Sequence, residues 1–246
     1  MKEKVIKILA TIFIVIIMFV LILLLMRKNG VFQLQAVKVH NNYFVTKQEI
    51  SRLAEFDFSK DLFQINLLQI ANRLEKHPMI EKVKVSRSYP SVLKIQVQEH
   101  QLIAAMAGSD VLAISENENF ISNYAPEAVY DLPVITGIHL VNDSTGKKVI
   151  ENQILMDRAV RILKMIKKND PFLYSEISEL NCSKKGEIIF HLKENDVVVF
   201  LGNKDYIRKL NYFATIFYHL VENKKLAKIL AIDVRYEGQA VIKSKS

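Results

Sequence analysis

The amino-acid sequence predicts an α+β protein held by a single N-terminal transmembrane helix, with a β-α-α-β-β unit next to the helix and a mixed β domain with packing helices beyond it. Three observations carry that reading. Residues 8–26 hold no charged side chain and are almost entirely Ile, Leu, Val, Phe and Met. Short apolar runs with strand-like alternation then bracket two short amphipathic patterns. Past residue 100, further alternating runs are interleaved with two longer helical patterns.

The apolar run reads as the anchor. At about 1.5 Å per residue it spans roughly 28 Å, close to the ~30 Å hydrocarbon core of a bilayer. Lys2, Lys4 and Lys7 precede it, and Arg27 and Lys28 close it. A cleavable signal sequence would carry an apolar stretch of about 7–15 residues and a small-x-small cleavage site. Met26-Arg27-Lys28-Asn29 is no such site. Basic residues at both ends make the positive-inside vote a weak one. With a short tail before the helix and a long segment after it, residues 1–7 are expected in the cytoplasm. No second apolar run approaches this length, so everything after Lys28 is expected on the other side of the membrane.

The chain has 246 residues, 50% hydrophobic and 24% charged. That excludes a disordered chain and leaves room for an anchor plus one or two domains. The formal net charge is +8, from 34 basic and 26 acidic side chains. The signs alternate, as at Glu81, Lys82 and Lys84 or at Lys193, Glu194 and Asp196. A nucleic-acid binder gathers its charge into one stripe with aromatic residues between, so nucleic acid is disfavoured. Cys182 has no second cysteine to pair with, and the fold must be stabilised by a core instead of an internal disulfide.

Residues 31–39 alternate in part (Phe32, Leu34, Val37, Val39) and read as a strand, with Asn41-Asn42 as the turn after it. Thr46-Lys47-Gln48-Glu49 is a capping box: the hydroxyl and the carboxylate satisfy free amides at a helix start. Ile50, Leu53 and Ala54 supply that helix's apolar face. Asn66 caps a second helix, whose Leu67, Ile70, Ala71 and Leu74 fall at i, i+3, i+4 and i+7. His77-Pro78 ends it, because the residue before proline avoids helical angles. Ile80, Val83 and Val85 lead into the turn Arg87-Ser88-Tyr89-Pro90-Ser91. Leu93, Ile95 and Val97 then alternate with outward Lys94, Gln96 and Gln98.

That order, with these residues, resembles a POTRA domain over residues 32–99. The most specific stretch is His77-Pro78-Met79-Ile80-Glu81-Lys82-Val83-Lys84-Val85, followed by Arg87, Tyr89-Pro90, Leu93-Lys94-Ile95-Gln96-Val97 and Glu99. A POTRA domain directly after a single N-terminal helix resembles the FtsQ/DivIB family of bacterial cell-division proteins. The family often continues the last Glu with Arg and Pro, where His100 and Leu102 stand here, and often has Trp in place of Tyr89.

Residues 100–243 are then expected to form the family's C-terminal β domain. Residues 103–107 and 111–115 read as strands around Gly108-Ser109-Asp110, and residues 116–119 as a polar turn before Phe120-Ile121. Leu132-Pro133-Val134-Ile135-Thr136-Gly137 is similar to a segment the family carries here. A helix follows with Ile154, Leu155, Ala159, Ile162, Leu163 and Ile166 on its apolar side, stopped by Asp170-Pro171. Residues 177–180, 187–192 and 197–201 read as strands, the last closed by Gly202-Asn203, and residues 205–221 as a helix. The last two strands are residues 232–236 and 240–243, joined across Glu237-Gly238-Gln239. Ile232-Asp233-Val234-Arg235-Tyr236 is similar to the family's terminal motif.

The sequence offers little chemistry. It has no Gly-rich phosphate loop. Asp143-Ser144-Thr145-Gly146 lacks the Asp directly before Thr-Gly that an aspartic-protease signature needs. His40, His77, His100, His139, His191 and His219 never fall at metal-ligand spacing. Cys182 has no basic neighbourhood to activate it. With no nucleophile, base and orienting group converging, no enzymatic activity, cofactor, metal or small-molecule substrate is expected.

A protein without a catalytic site acts by binding, and two surfaces can be named. The C-terminal strand can accept a partner strand if it lies at a sheet edge; alternatively it is an ordinary edge blunted by Lys243 and Lys245. The family resemblance implies that FtsB, of the FtsB–FtsL pair, adds to this edge. Tyr236 would be the motif aromatic, with Arg235 and Gly238 beside it and Ala240, Val241 and Ile242 in the strand. Core packing is the competing role for Tyr236, and Asp233 and Arg235 are expected to stabilise the local structure. The second surface is the POTRA edge through Val83, Val85 and Arg87, which the resemblance links to recruitment by upstream division proteins. It further implies an indirect link to FtsW and FtsI, and so to septal peptidoglycan synthesis, at the inner membrane of the division septum. A second class, the outer-membrane assembly and secretion components, also uses POTRA domains; those end in a long alternating membrane barrel, which these residues do not contain.

Overall fold

The structure, a computed structural model, describes residues 2–106, 112–122, 131–146, 148–183 and 185–245. The expected turn at Gly108-Ser109-Asp110 lies outside the described residues. The chain divides into two compact units, Met1–Glu99 and His100–Ser246.

In the first unit, α1 (Lys2–Lys28) carries its apolar side chains on every face. Leu9 is 59% and Phe19 61% exposed, with no protein over them. Water tolerates scattered apolar residues but not a whole helix of them, whereas a helix in lipid satisfies its own backbone. By length and composition, Ile6–Lys28 can cross a membrane. β1 (Ala36–His40) is shorter than the expected strand over residues 31–39. The residues before it bond to a loop instead of the sheet: Leu62 N donates to Phe32 O at 2.8 Å and Leu34 N to Lys60 O at 3.1 Å.

The two short helices start where their caps predict. Thr46 Oγ1 accepts from Glu49 N at 3.2 Å to open α2 (Lys47–Ala54), and Asn66 Oδ1 accepts from Gln69 N at 3.1 Å to open α3 (Leu67–Leu74). The Glu49 carboxylate lies 3.4 Å from His77 Nε2. β2 (Ile80–Ser88) and β3 (Val92–Glu99) are antiparallel, β1 and β3 parallel, giving the order β1-β3-β2. β3 alternates as read: Leu93, Ile95 and Val97 are buried with Ile50, Ile70 and Leu74 of the helices, each such burial stabilising by about 1.5–3 kcal/mol. Glu99 ends β3 by accepting from the amides of Tyr43, Phe44 and Val45 at 3.0, 2.9 and 2.9 Å.

The second unit is built on one large mixed sheet. Its elements are β4 (Leu102–Met106), β5 (Leu112–Ser115), β6 (Phe120–Ser122), β7 (Val134–Thr136), the hairpin β8 (Leu140–Asn142) and β9 (Lys148–Ile150), α4 (Gln153–Asn169), α5 (Pro171–Glu176), β10 (Ile177–Cys182), β11 (Ile188–Leu192), β12 (Val198–Gly202), α6 (Tyr206–Glu222), a 3-10 turn at Leu226–Lys228, β13 (Ile229–Asp233) and β14 (Val241–Ser244). The nine-stranded order is β14-β13-β12-β11-β10-β7-β4-β5-β6. Leu155, Ala159 and Leu163 of α4 and Phe213 and Phe217 of α6 join Phe190, Val199 and Ile232 of the sheet in one core.

Ile154, expected on the apolar side of its helix, is 72% exposed. At i+7 it shares a face with exposed Arg161, away from the core. Asp170-Pro171 stops α4 as expected but also starts α5. Asp170 Oδ1 accepts from Leu173 N at 2.9 Å, and Pro171 occupies the first turn, where a missing amide costs nothing. Gly137 has φ +78°, and a Cβ there would meet the Cys182 carbonyl oxygen at 2.0 Å, so only glycine lets β7 leave beside β10. Cys182 itself is fully buried, and burial pushes its thiol up to about 12.

Candidate functional site

β14 closes one side of the large sheet, and no strand lies beyond it among the described residues. It pairs with β13 through Asp233 and Val241, Ile232 and Ile242, and Ala231 and Lys243. The strand begins at Val241, so Ala240 belongs to its approach. All four strand residues are exposed, Val241 at 54% and Ile242 at 43%. Residues directly opposite in an antiparallel pair share a face. Ile242 therefore sits beside buried Ile232, and Val241 beside Asp233.

The turn between β13 and β14 is held by charge pairs. Arg235 donates to Asp233 through Nε at 3.0 and 3.1 Å and through Nη2 at 2.7 Å, and its Nη1 lies 3.5 Å from Glu187. The guanidinium also lies 5.1 Å from the centre of the Phe200 ring. Gly202, at φ +83°, makes room: a Cβ would come within 3.2 Å of Arg235 Cγ. Burial disfavours the charged Asp233, but the bonds from Arg235 outweigh it and hold the carboxyl below its ordinary range. The same bonds raise Arg235 further. Arg235, named from the sequence as a candidate contact, thus has its guanidinium committed to its own fold.

Tyr236, next along, is 54% exposed and does not pack into the core. Glu237 accepts from Arg208 Nη1 at 2.7 Å, a bond that keeps its carboxyl below the usual range. Gly238 completes the turn at φ +70°, with open space around it. Lys204, Asp205, Arg208, Lys209 and Tyr212, around the start of α6, and residues 234–238 border a groove of about 580 Å³. Lys209, buried at its edge, donates to the Leu201 carbonyl at 3.2 Å. The whole arrangement offers a main-chain edge, one aromatic ring and two aliphatic side chains, which suits an extended polypeptide better than a reacting small molecule.

β2 is likewise the outer strand of its sheet. Val83 and Val85 are half-buried. The Val83 amide already donates to Glu75 Oε1 at 3.1 Å. Arg87 points back into its own unit: Nε donates to Leu62 O and Nη2 to Ile65 O, both at 2.8 Å. Its guanidinium holds residues 62–65, so Arg87 supports this edge from behind. Among the described residues no group of three or more His, Cys, Asp or Glu is placed to hold a metal.

The sequence did not reveal Arg208, Glu187, Phe200 or Glu75 as parts of these surfaces. Arg208 and Glu237 are 29 residues apart, and Arg235 and Glu187 are 48 apart. No local spacing announces either pair.

Fold and surfaces together define a class: a two-unit α+β protein on a helix able to cross a membrane, with an outer strand at a sheet edge in each unit. Comparison with known proteins narrows the class. A family model described as "POTRA domain, FtsQ-type" matches residues 32–100, and one described as "FtsQ/DivIB, C-terminal related" matches residues 116–242. The chain belongs to the FtsQ/DivIB family of cell-division proteins. It is similar to cell division protein FtsQ of Geotalea daltonii, 26% identical over 215 residues that cover 86% of this chain and 76% of that one. It is also similar to FtsQ of Syntrophotalea carbinolica, 26% identical over 212 residues covering 86% and 74%. Cell division protein DivIB of Clostridium botulinum is 24% identical over 245 residues, covering 98% of this chain and 92% of the relative.

Proposed function

We propose that this chain is a non-enzymatic scaffold of the division septum, with its N-terminus in the cytoplasm and both folded units outside, that binds FtsB of the FtsB–FtsL pair by strand addition to β14. Through that pair it helps control the septal peptidoglycan synthesis carried out by FtsW and FtsI. The observation that carries the reading is the unpaired outer edge of β14, with Val241, Ile242 and Tyr236 exposed beside it. A strand laid along that edge would satisfy its amides and carbonyls, while the ring of Tyr236 supplies a buried anchor on binding. The helix confines all partners to two dimensions, so modest pairwise contacts add up. Val83 and Val85 on β2 form the candidate surface for upstream division proteins.

The test is capture of FtsB–FtsL by the full chain in detergent micelles, compared with Tyr236→Ala and with a truncation after Tyr236. Loss of a hot-spot aromatic costs about 2 kcal/mol, so Tyr236→Ala is expected to weaken capture roughly thirtyfold. The truncation, which removes β14, is expected to abolish it. Circular dichroism establishes that both variants stay folded. Capture that survives both changes sinks strand addition at this edge.

A further inference from the structure

The first unit carries an aromatic patch that the division role does not use, and the patch lies at the mouth of the membrane helix. The chain does not leave α1 on a free linker. Val31 N bonds back to Met26 O at 3.1 Å, and Gly30 N to Arg27 O at 3.1 Å, so the turn stays level with the end of the apolar run. The loop of residues 56–64 is fastened there. Arg27 Nε lies 3.0 Å from Asp61 Oδ2, Gln33 Nε2 donates to Phe58 O at 3.1 Å, and Leu62 N to Phe32 O at 2.8 Å. Arg87 grips the same loop from the other side through the Leu62 and Ile65 carbonyls. The sheet register adds the turn after β2: Ala36 and Ser88 both pair with Val92, so Tyr89 emerges at this end.

Three rings on that end face outward. Phe58 and Phe63 are each 50% exposed and Tyr89 62%. Phe63 meets Phe32 edge-on and Tyr89 at a tilt, with ring centres 5.3 and 5.4 Å away. The neighbouring charges are largely paired: Asp61 with Arg27, and Asp57 with Lys60 at 3.5 Å. Exposed rings so fixed sit badly in water. The headgroup zone beyond a bilayer's hydrocarbon edge is about 5–8 Å deep, and aromatic side chains are enriched there. A loop bonded to Arg27 and Phe32 has little room to lie anywhere else.

We infer that the POTRA-type unit is seated on the bilayer surface through Phe58, Phe63 and Tyr89, so that lipid as well as the helix fixes its position. The inference rests on α1 spanning the membrane and is independent of the division partners. Its occupant is the lipid interface, because two residues beyond Lys28 the chain is still bonded to the helix end.

The chain has no tryptophan, so single substitutions make clean reporters. Phe58→Trp and Phe63→Trp probe the patch. Tyr43→Trp, 85% exposed and bonded to Glu99 at the opposite end of the sheet, is the control. Each full-length variant is reconstituted in vesicles of lipid brominated near the headgroup end of the acyl chains, and flotation checks insertion. Emission from Phe58→Trp and Phe63→Trp is expected to shift to the blue and lose most of its intensity to the bromine, while Tyr43→Trp does neither. Equal quenching of all three overturns the seating on one face. Patch reporters that stay red and unquenched overturn it too. A blue shift without quenching that grows with the protein-to-lipid ratio assigns the patch to a second copy, against the inference. A chain that does not float removes the anchor on which the inference stands, a failure distinct from the others.

Discussion

Strands β2 and β14 are both outer strands, yet they present different surfaces. β2 runs for 9 residues, with exposed Lys82 and Lys84 along it, half-buried Val83 and Val85, and a Glu75 carboxylate already on the Val83 amide. β14 has 4 residues, all exposed, two of them aliphatic. Natural edges are protected by charge, side-chain cover and shortness. β2 uses charge and cover. β14 uses shortness and the two lysines at its end, and Lys245 is in part occupied with the Asn195 carbonyl at 3.2 Å. The two outer strands thus differ in how far the fold has already satisfied or shielded their edges.

The largest expected effect breaks the first unit and spares the second. Arg87→Ala removes a cation from the carbonyls of residues 62–65. Hydrogen bonds from a charged donor are worth about 1.5–3 kcal/mol each, and buried acceptors left alone cost more. A loss of about 2–3 kcal/mol is expected, read as faster amide exchange over residues 58–66. Capture of FtsB–FtsL should not change. If capture falls as far as it does with Tyr236→Ala, the two edges do not act separately and the comparison fails.

Arg235→Ala is the matching cut in the second unit, and it is milder because the guanidinium is partly exposed. Discounted for solvent, removing the Asp233 pair and the stack on Phe200 should cost about 1–2 kcal/mol. The pH dependence has a definite sign. Asp233 has a folded pKa below its ordinary value of 3.8. Its contribution is therefore complete above about pH 4 and is lost as pH falls through the lower folded value. Urea unfolding between pH 2 and 7 should show this acid loss in the native chain and a flatter profile in Arg235→Ala. Arg235→Lys should not restore it, since an ammonium cannot reproduce the two-pronged contact. An unchanged acid profile would mean that the turn presenting Tyr236 is held by Glu237 and Arg208 instead.

Much of this fold is legible in the residues because its signals are local. Thr46 and Asn66 mark helix starts through bonds three residues long, and Leu93, Ile95 and Val97 mark a buried face through simple alternation. Where partners are distant the reading stops. Residues 31–35 look like the start of a strand because Phe32 and Leu34 alternate, but the Leu34 amide goes to the Lys60 carbonyl, the Phe32 carbonyl to the Leu62 amide, and the Val31 amide back to the helix end at Met26. The β8–β9 hairpin is too short to show a period. The parallel pairing of β7 with β10, and of β12 with β13, depends on chain returns that no local pattern encodes. The candidate edge divides in the same way. Tyr236, Val241 and Ile242 can be picked out in the sequence through the resemblance of residues 232–236 to the family's terminal motif and the short apolar run after Gly238. The commitment of Arg235 to Asp233, Glu187 and Phe200 is not visible, since only folding brings the latter two alongside it.

The smallest expected effect is the sharpest test of the comparison. Glu75→Ala frees the Val83 amide on β2 and removes one exposed hydrogen bond, costing under about 1 kcal/mol in stability. If cover by a side chain is what silences this edge, the freed strand should pair with its copy in another molecule. Sedimentation of the full chain in micelles would then show a new concentration-dependent dimer. Glu75→Gln keeps an acceptor at the same place and should stay as the native chain does. A dimer in neither variant would move the protection of β2 to Lys82 and Lys84, whose like charges repel a second copy of the strand. In that case charge alone separates the two edges, and replacing both lysines by neutral residues, not uncapping one amide, becomes the change that makes β2 behave like β14.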